Sequence, residues 1–176
     1  MSLKNYRVLS LDISSSSTGW SFICGANLKT LKFGTIAPDP KLNTTMKLDF
    51  FRNELKKLFI KFKPNYIILE DTFLGNNPKV AKLLAKFAGV AEQSVFEFCQ
   101  VIPYIMGNTT PKSFFKAKNK EALYTIIVDL FAFEEMSFGK CNDITDSIAQ
   151  LLCYCDEVIK IKKVRMEKEY GYQYDI

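Results

Sequence analysis

Read for the spacing of its apolar positions, the chain moves between two periods. Val8-Leu9-Ser10-Leu11-Asp12 is a short, mostly apolar run of the kind a strand makes, and Trp20-Ser21-Phe22-Ile23 is a second. Residues 31–36 form a third, with Gly25-Ala26-Asn27 turning the chain before it. These three runs predict an antiparallel meander. From Leu48 the period lengthens: Leu48, Phe51, Leu55, Leu58, Phe59 and Phe62 recur at helical spacing, and the helix must end before Pro64. Tyr66-Ile67-Ile68-Leu69 then reads as a short buried strand closed by Glu70.

Beyond the turn Gly75-Asn76-Asn77-Pro78, helical spacing returns over 79–100, with Leu83, Leu84, Phe87, Val90, Ala91 and Val95 on an apolar side and Lys79, Lys82 and Lys86 as a basic stripe. A strand over 101–105 follows. Thr109-Thr110-Pro111 opens another helix, a further one spans 121–133, and a last one runs over 142–164, carrying Ile144, Ile148, Leu151, Leu152 and Cys155. Three strands, helix, strand, helix, strand and helices predict an α/β fold whose mixed five-stranded sheet is flanked by helices. The whole of 1–176 is expected to be one domain, with a basic, tyrosine-rich and mobile tail over 160–176.

Composition narrows the chemistry. At 176 residues, 48% hydrophobic and 14% aromatic, the chain can bury one full core. No run approaches the roughly 18 apolar residues of a membrane span, so a soluble, cytoplasmic protein is expected. Five scattered cysteines argue for free thiols in a reducing compartment. Histidine is absent, which removes imidazole bases, Ser-His-Asp catalysis and imidazole-dependent zinc or iron sites. Net charge is +5, and of 24 Lys plus Arg only Arg7, Arg52 and Arg165 are arginine. Lysine grips phosphate as a point charge, whereas arginine reads guanine edges, so this balance favours backbone binding over base readout.

Four acids stand where such chemistry needs them. Asp12 and Glu70 each end an apolar strand, and Asp143 and Asp146 lie at i and i+3 at the start of the last helical pattern, on one face. Each has a plainer role when taken singly: capping the serine turn, meeting a surface lysine, or favouring a helix dipole. As an ordered set they make an all-oxygen site suited to two divalent ions about 4 Å apart, the arrangement that hydrolyses phosphodiesters. Such a cluster repels itself without metal.

The chain resembles the RuvC-type Holliday junction resolvases of the ribonuclease H-like superfamily. The likeness is carried by Leu9-Ser10-Leu11-Asp12 with Ser17-Thr18-Gly19-Trp20, Ile68-Leu69-Glu70 with Phe73, Ala88-Gly89-Val90-Ala91, Thr110-Pro111-Lys112 and Asn142-Asp143-Ile144-Thr145-Asp146-Ser147-Ile148-Ala149. It implies a ribonuclease H-like fold and a homodimer that nicks opposed strands of a four-way DNA junction, leaving 5′-phosphate ends. It also implies two Mg2+ ions, with Mn2+ as a substitute, on Asp12, Glu70, Asp143 and Asp146. Lys120 matches the family's functional lysine, Phe73 an aromatic that stacks on junction bases, and Lys112, Lys116 and Lys118 phosphate contacts, with the helix from Lys79 as the dimer interface. Ile13-Ser14-Ser15 after the first acid departs from the bacterial Asp-Pro-Gly turn and is closer to phage and viral variants.

Three other readings fit parts of the pattern. A broader endonuclease of forks, flaps and three-way branches would use the same site, and a junction-binding module without chemistry would use the same basic surface. An actin-like or sugar-kinase ATPase also begins with a strand, an acid and a Ser/Thr/Gly turn. That class needs two lobes and glycine-rich nucleotide segments, and this chain has eight glycines. Neither a cleavage sequence nor a helicase partner is legible.

Overall fold

The computed structural model describes residues 6–25, 27–71, 77–133 and 137–157. Among them the sheet has five strands in the order β3-β2-β1-β4-β5. β1 (Arg7–Asp12), β2 (Thr18–Cys24) and β3 (Asn27–Ile36) form the antiparallel meander, while β4 (Tyr66–Glu70) pairs parallel with β1 and β5 (Tyr104–Met106) parallel with β4. The helices are α1 (Thr44–Phe62), α2 (Pro78–Cys99), α3 (Thr110–Phe114), α4 (Lys120–Phe131) and α5 (Phe138–Glu157). This is the mixed sheet with flanking helices that the hydrophobic pattern predicts.

Strand alternation sorts the core into two layers. Leu9 and Leu11 of β1, with Ile67 and Leu69 of β4, face α1 and α2 and pack with Phe51, Leu55, Phe87, Ala91 and Val95. Val8 and Ile68 point the other way, into a cluster with Leu123 and Ile127 of α4 and Ile148, Leu151 and Leu152 of α5. Each fully buried aliphatic side chain contributes on the order of 1.5–3 kcal/mol, so the layers, not helix propensity, hold the helices in place.

Local signals set the helix ends. Asn43, Asn77 and Asn119 cap α1, α2 and α4, their side chains accepting from the amides of Met46, Lys79 and Ala122. α1 stops at Lys63, which turns left-handed (φ 46°) ahead of Pro64. Its carbonyl accepts a 2.6 Å bond from Arg7 Nε, which pins the helix end to the start of β1.

Several boundaries differ from expectation, among them the end of α4 at Phe131 rather than residue 133, where Ala132 turns left-handed. β3 begins at Asn27 rather than residue 31, because Thr30 Oγ1 bonds both the amide and the carbonyl of Cys24 across an irregular pairing. β5 is Tyr104–Met106 rather than 101–105, since Pro103 lacks the amide a ladder needs. α5 begins at Phe138, before residue 142, where the Phe138 ring meets Tyr124 edge-on at 5.3 Å. Asp143 and Asp146 therefore sit in the second and third turns of α5, not at its start. The 160–176 tail lies outside the described residues, and no helix among the described residues is long and apolar enough to cross a membrane.

Candidate active site

The site lies where α5 crosses the end of β1, and small side chains let it come close. Gly19 of β2 pairs with Asp12, and a Cβ at position 19 would stand 2.0 Å from the backbone oxygen of Asp143. Only glycine lets strand and helix backbones meet there. Further along the seam, Ser21 Oγ donates to the Ser147 carbonyl at 2.8 Å and Ser10 Oγ to Gln150 Oε1 at 3.0 Å. Gln150 Nε2 in turn donates to Glu70 Oε2 at 3.3 Å. The seam is polar yet buried, and the side chains of Ser10, Ser21 and Gln150 are all hydrogen-bonded, as burial requires.

This packing brings the four acids into one neighbourhood. Leu11 of β1 lies opposite Leu69 of β4, so Asp12 and Glu70 end adjacent parallel strands facing α5, and their carboxyls share a hydrogen bond. From α5, Asp143 and Asp146 project toward them. Lys120, the first residue of α4, places Nζ 2.6 Å from Asp146 Oδ2 and 3.8 Å from Asp143 Oδ1. Among the described residues no three acids form a closed ligand cage. The four stand as electrostatic neighbours with an ammonium among them.

The electrostatics follow from burial. Asp12 is 7% exposed, and loss of solvent raises its carboxyl well above the ordinary range, with the Glu70 hydrogen bond and the charges of Glu70 and Asp143 adding to that effect. Asp146 is pushed up to about 6, first by burial and then by the Asp12 charge, with Lys120 opposing. Burial lowers the Lys120 ammonium, but Asp146, Asp12 and Asp143 outweigh it and the net shift is upward. The cluster therefore lacks positive charge, since one lysine does not balance four acids.

A second observation points the same way. Asp146 Oδ1 is buried with no hydrogen-bond partner. An unpartnered carboxylate oxygen among donors that are all hard oxygens, with one ammonium beside them, fits a divalent cation of the magnesium class.

The remaining expected residues fall in three places. Lys116 and Lys118 are exposed and Lys112 half-buried, on or just after α3 and close in sequence to Lys120. Lys79 and Lys82 stand exposed at the start of α2. Phe73 lies outside the described residues. Sequence reasoning missed Ser10, Gln150 and the contact at Gly19. Two signals were there to use: a serine inside an otherwise apolar strand, and a glutamine four residues after Asp146, on the same face of an apolar helix.

Acids at the ends of two adjacent strands of a mixed sheet, met by two acids of a crossing helix and one lysine, make a donor set whose chemistry suits a hard divalent cation. The model of the family "Crossover junction endodeoxyribonuclease RuvC" matches residues 8–154. The chain belongs to this family. A Wolbachia pipientis wMel crossover junction endodeoxyribonuclease RuvC is 26% identical over 151 residues, covering 84% of this chain and 93% of that protein. The Rickettsia typhi protein of the same name is 27% identical, covering 68% and 79%. Among solved structures, Thermus thermophilus RuvC in complex with a Holliday junction substrate superimposes with a TM-score of 0.73 at 14% identity, covering 89% of this chain and 96% of that one. The yeast mitochondrial Holliday junction resolvase Ydc2 gives 0.61 at 13%, covering 93% and 84%. At these identities the structures establish the fold, a ribonuclease H-like one.

Proposed function

We propose that this chain resolves four-way DNA junctions, nicking two opposed strands symmetrically by divalent-metal-assisted hydrolysis. The carrying observation is that Asp12, Glu70, Asp143 and Asp146, from three separate elements, are electrostatic neighbours around Lys120, with an oxygen of Asp146 left unpartnered. These four residues would hold two Mg2+ ions, for which Mn2+ would substitute. Such ions, when bound, supply neutralisation of phosphoryl charge and a more acidic water. Hydrolysis joins the water oxygen to phosphorus and breaks the bond to the 3′ oxygen, which takes up a proton and leaves a 5′-phosphate that ligase accepts.

The chain's own residues do the rest. Lys120 keeps its proton beside Asp146 and faces the charge that develops on the phosphate. Lys112, Lys116 and Lys118 hold neighbouring phosphates, each worth about one unit of salt slope, and Lys79 and Lys82 extend the basic surface along α2. Phe73, three residues past Glu70, is read as the aromatic that stacks on an unpaired base, worth roughly 1–3 kcal/mol.

A homodimer through α2 is the pairing the family likeness implies, and Val80 and Phe96, near opposite ends of that helix, are exposed apolar side chains. A two-fold pair would present two equivalent sites to a nearly two-fold junction. The second reading, a broader branched-DNA endonuclease, rests on the scarcity of arginine, which weakens base readout.

Labelled four-way, three-way, flap and duplex DNA separate these readings when each is nicked in magnesium by wild type, Asp12→Asn and Asp146→Asn. Resolution predicts symmetric, ligatable nicks in the four-way substrate, with both variants reduced by several orders of magnitude. Equal cutting by the variants, or no cutting of any branched substrate, rejects the assignment. Sedimentation showing monomer alone at micromolar concentration rejects the dimer.

A further inference from the structure

Gln150 stands out among the buried polar groups because its two ends face different elements. It is 3% exposed, 140 residues from Ser10 and 80 from Glu70 along the chain, and it bridges β1 to β4 from the inner face of α5. Its neighbours along the helix, Ile148, Leu151 and Leu152, are apolar and belong to the core. An amide in such a place is costly unless both its oxygen and its nitrogen find partners.

The bonding pattern leaves one orientation. The amide nitrogen faces Glu70, to which it donates, and the amide oxygen faces Ser10. The Ser10 hydroxyl then has to donate, and it does so at 3.0 Å. Ser10 itself is fully buried in the centre of the sheet, on the central strand that also carries Asp12 two residues on. The relay is therefore anchored on the central strand and ends on Glu70 Oε2.

We infer that Gln150, oriented by Ser10, is a positioning residue that fixes the direction of the Glu70 carboxylate, leaving Oε1 and one side of Oε2 turned toward the shared cleft. The inference rests on the reading of Glu70 as a metal ligand and goes further by assigning how that ligand is held. At 3.3 Å the contact to Glu70 is longer than the roughly 2.7–2.9 Å of a strong charge-assisted bond. It works by aiming the carboxylate more than by adding attraction. Outer partners of metal ligands typically change metal affinity by about 10–100-fold, and a contact of this length belongs at the lower end.

The test is Mn2+ binding to the DNA-free protein, followed by the spectroscopic signal of the free ion, for wild type, Gln150→Leu, Ser10→Ala and Glu70→Gln, with the melting temperature of each recorded. Gln150→Leu is expected to raise the Mn2+ dissociation constant roughly tenfold and Ser10→Ala roughly threefold. Both variants should also shift the metal concentration at which junction cleavage is half-maximal, while the maximal rate at saturating metal changes less. Unchanged Mn2+ affinity in Gln150→Leu beside a clear loss in Glu70→Gln overturns the relay and leaves Glu70 as a ligand. Unchanged affinity in Glu70→Gln removes the ligand reading itself, and the relay with it. Should Gln150→Leu fail to fold, Ser10→Ala decides the question, because it deletes a single hydroxyl, and wild-type affinity in that variant counts against the relay.

Discussion

The two faces of the central strand could hardly be less alike. Toward α1 and α2, β1 presents Leu9 and Leu11 to a wholly apolar layer in which Phe51, Phe87 and Leu55 are fully buried. Toward α5, the same strand presents Val8 to a second apolar cluster and then Ser10 and Asp12, where the contact runs through Gly19, Ser21, Ser147 and Gln150 before it reaches four acids and a lysine. Alternation along a strand lets one six-residue segment serve both purposes. Apolar packing on both faces supplies stability, and the polar seam at the acid-bearing end holds like charges together at its expense. A cluster that no mixture of solvation and pairing satisfies in the bare protein is one that a cation would improve.

Substitutions on the two faces should therefore fail in different ways. Phe51→Ala or Phe87→Ala should cost about 3–5 kcal/mol by urea unfolding, yet leave cleavage per folded molecule and the response to magnesium intact. Gly19→Ala, whose Cβ would meet the Asp143 carbonyl at 2.0 Å, should cost towards the top of the roughly 1–3 kcal/mol range for overpacking and should lose the magnesium response as well. If Gly19→Ala keeps full magnesium-dependent cleavage, the close approach of α5 to β2 is not what sets the site.

Magnesium at about a hundred times its dissociation constant should stabilise the wild type by roughly 2.7 kcal/mol, read as a higher melting temperature that chelation reverses. The increment should survive in Phe87→Ala and vanish in Asp12→Asn. Without metal, pH provides the finest probe. Asp146 holds its proton more tightly in the folded chain, at about 6 against an ordinary 3.8, and Asp12 shifts in the same direction. The stability that Asp146 confers in this way is complete below about pH 3.8 and is lost as the pH rises through about 6. Asp146→Asn should accordingly make the metal-free protein more stable at pH 8 by roughly 2 kcal/mol and flatten the decline between pH 4 and 7. A variant less stable than wild type at pH 8 would show that the Lys120 ion pair outweighs burial.

Much of this contrast was legible in the sequence. Asp12 and Glu70 announce themselves because each terminates an apolar run, and the parallel pairing of β1 with β4 follows from the simplest arrangement of those runs. Asp143 and Asp146 share a helix face by spacing alone, and Lys120 was reached through the family likeness. Illegible parts were those decided between distant segments. Nothing local to Phe138 announces that its ring will meet Tyr124 and draw the helix start back before Asn142. Ser10 and Gln150 each looked like an isolated polar residue in an apolar stretch, and their meaning lies in a bond across 140 positions. Gly19 reads in the sequence as part of a turn, whereas in the fold it is the point of closest approach between two backbones.

One consequence follows from α5 being both a donor of acids and a core element. Its residues from Ile144 to Cys155 are nearly all buried, so that stretch cannot open without disrupting the protein as a whole. Amides there should exchange with deuterium only through global unfolding, whether or not a cation is present. Ion capture by such a scaffold needs no folding step, and the pace at which the enzyme becomes competent should be set by the departure of water from the incoming ion.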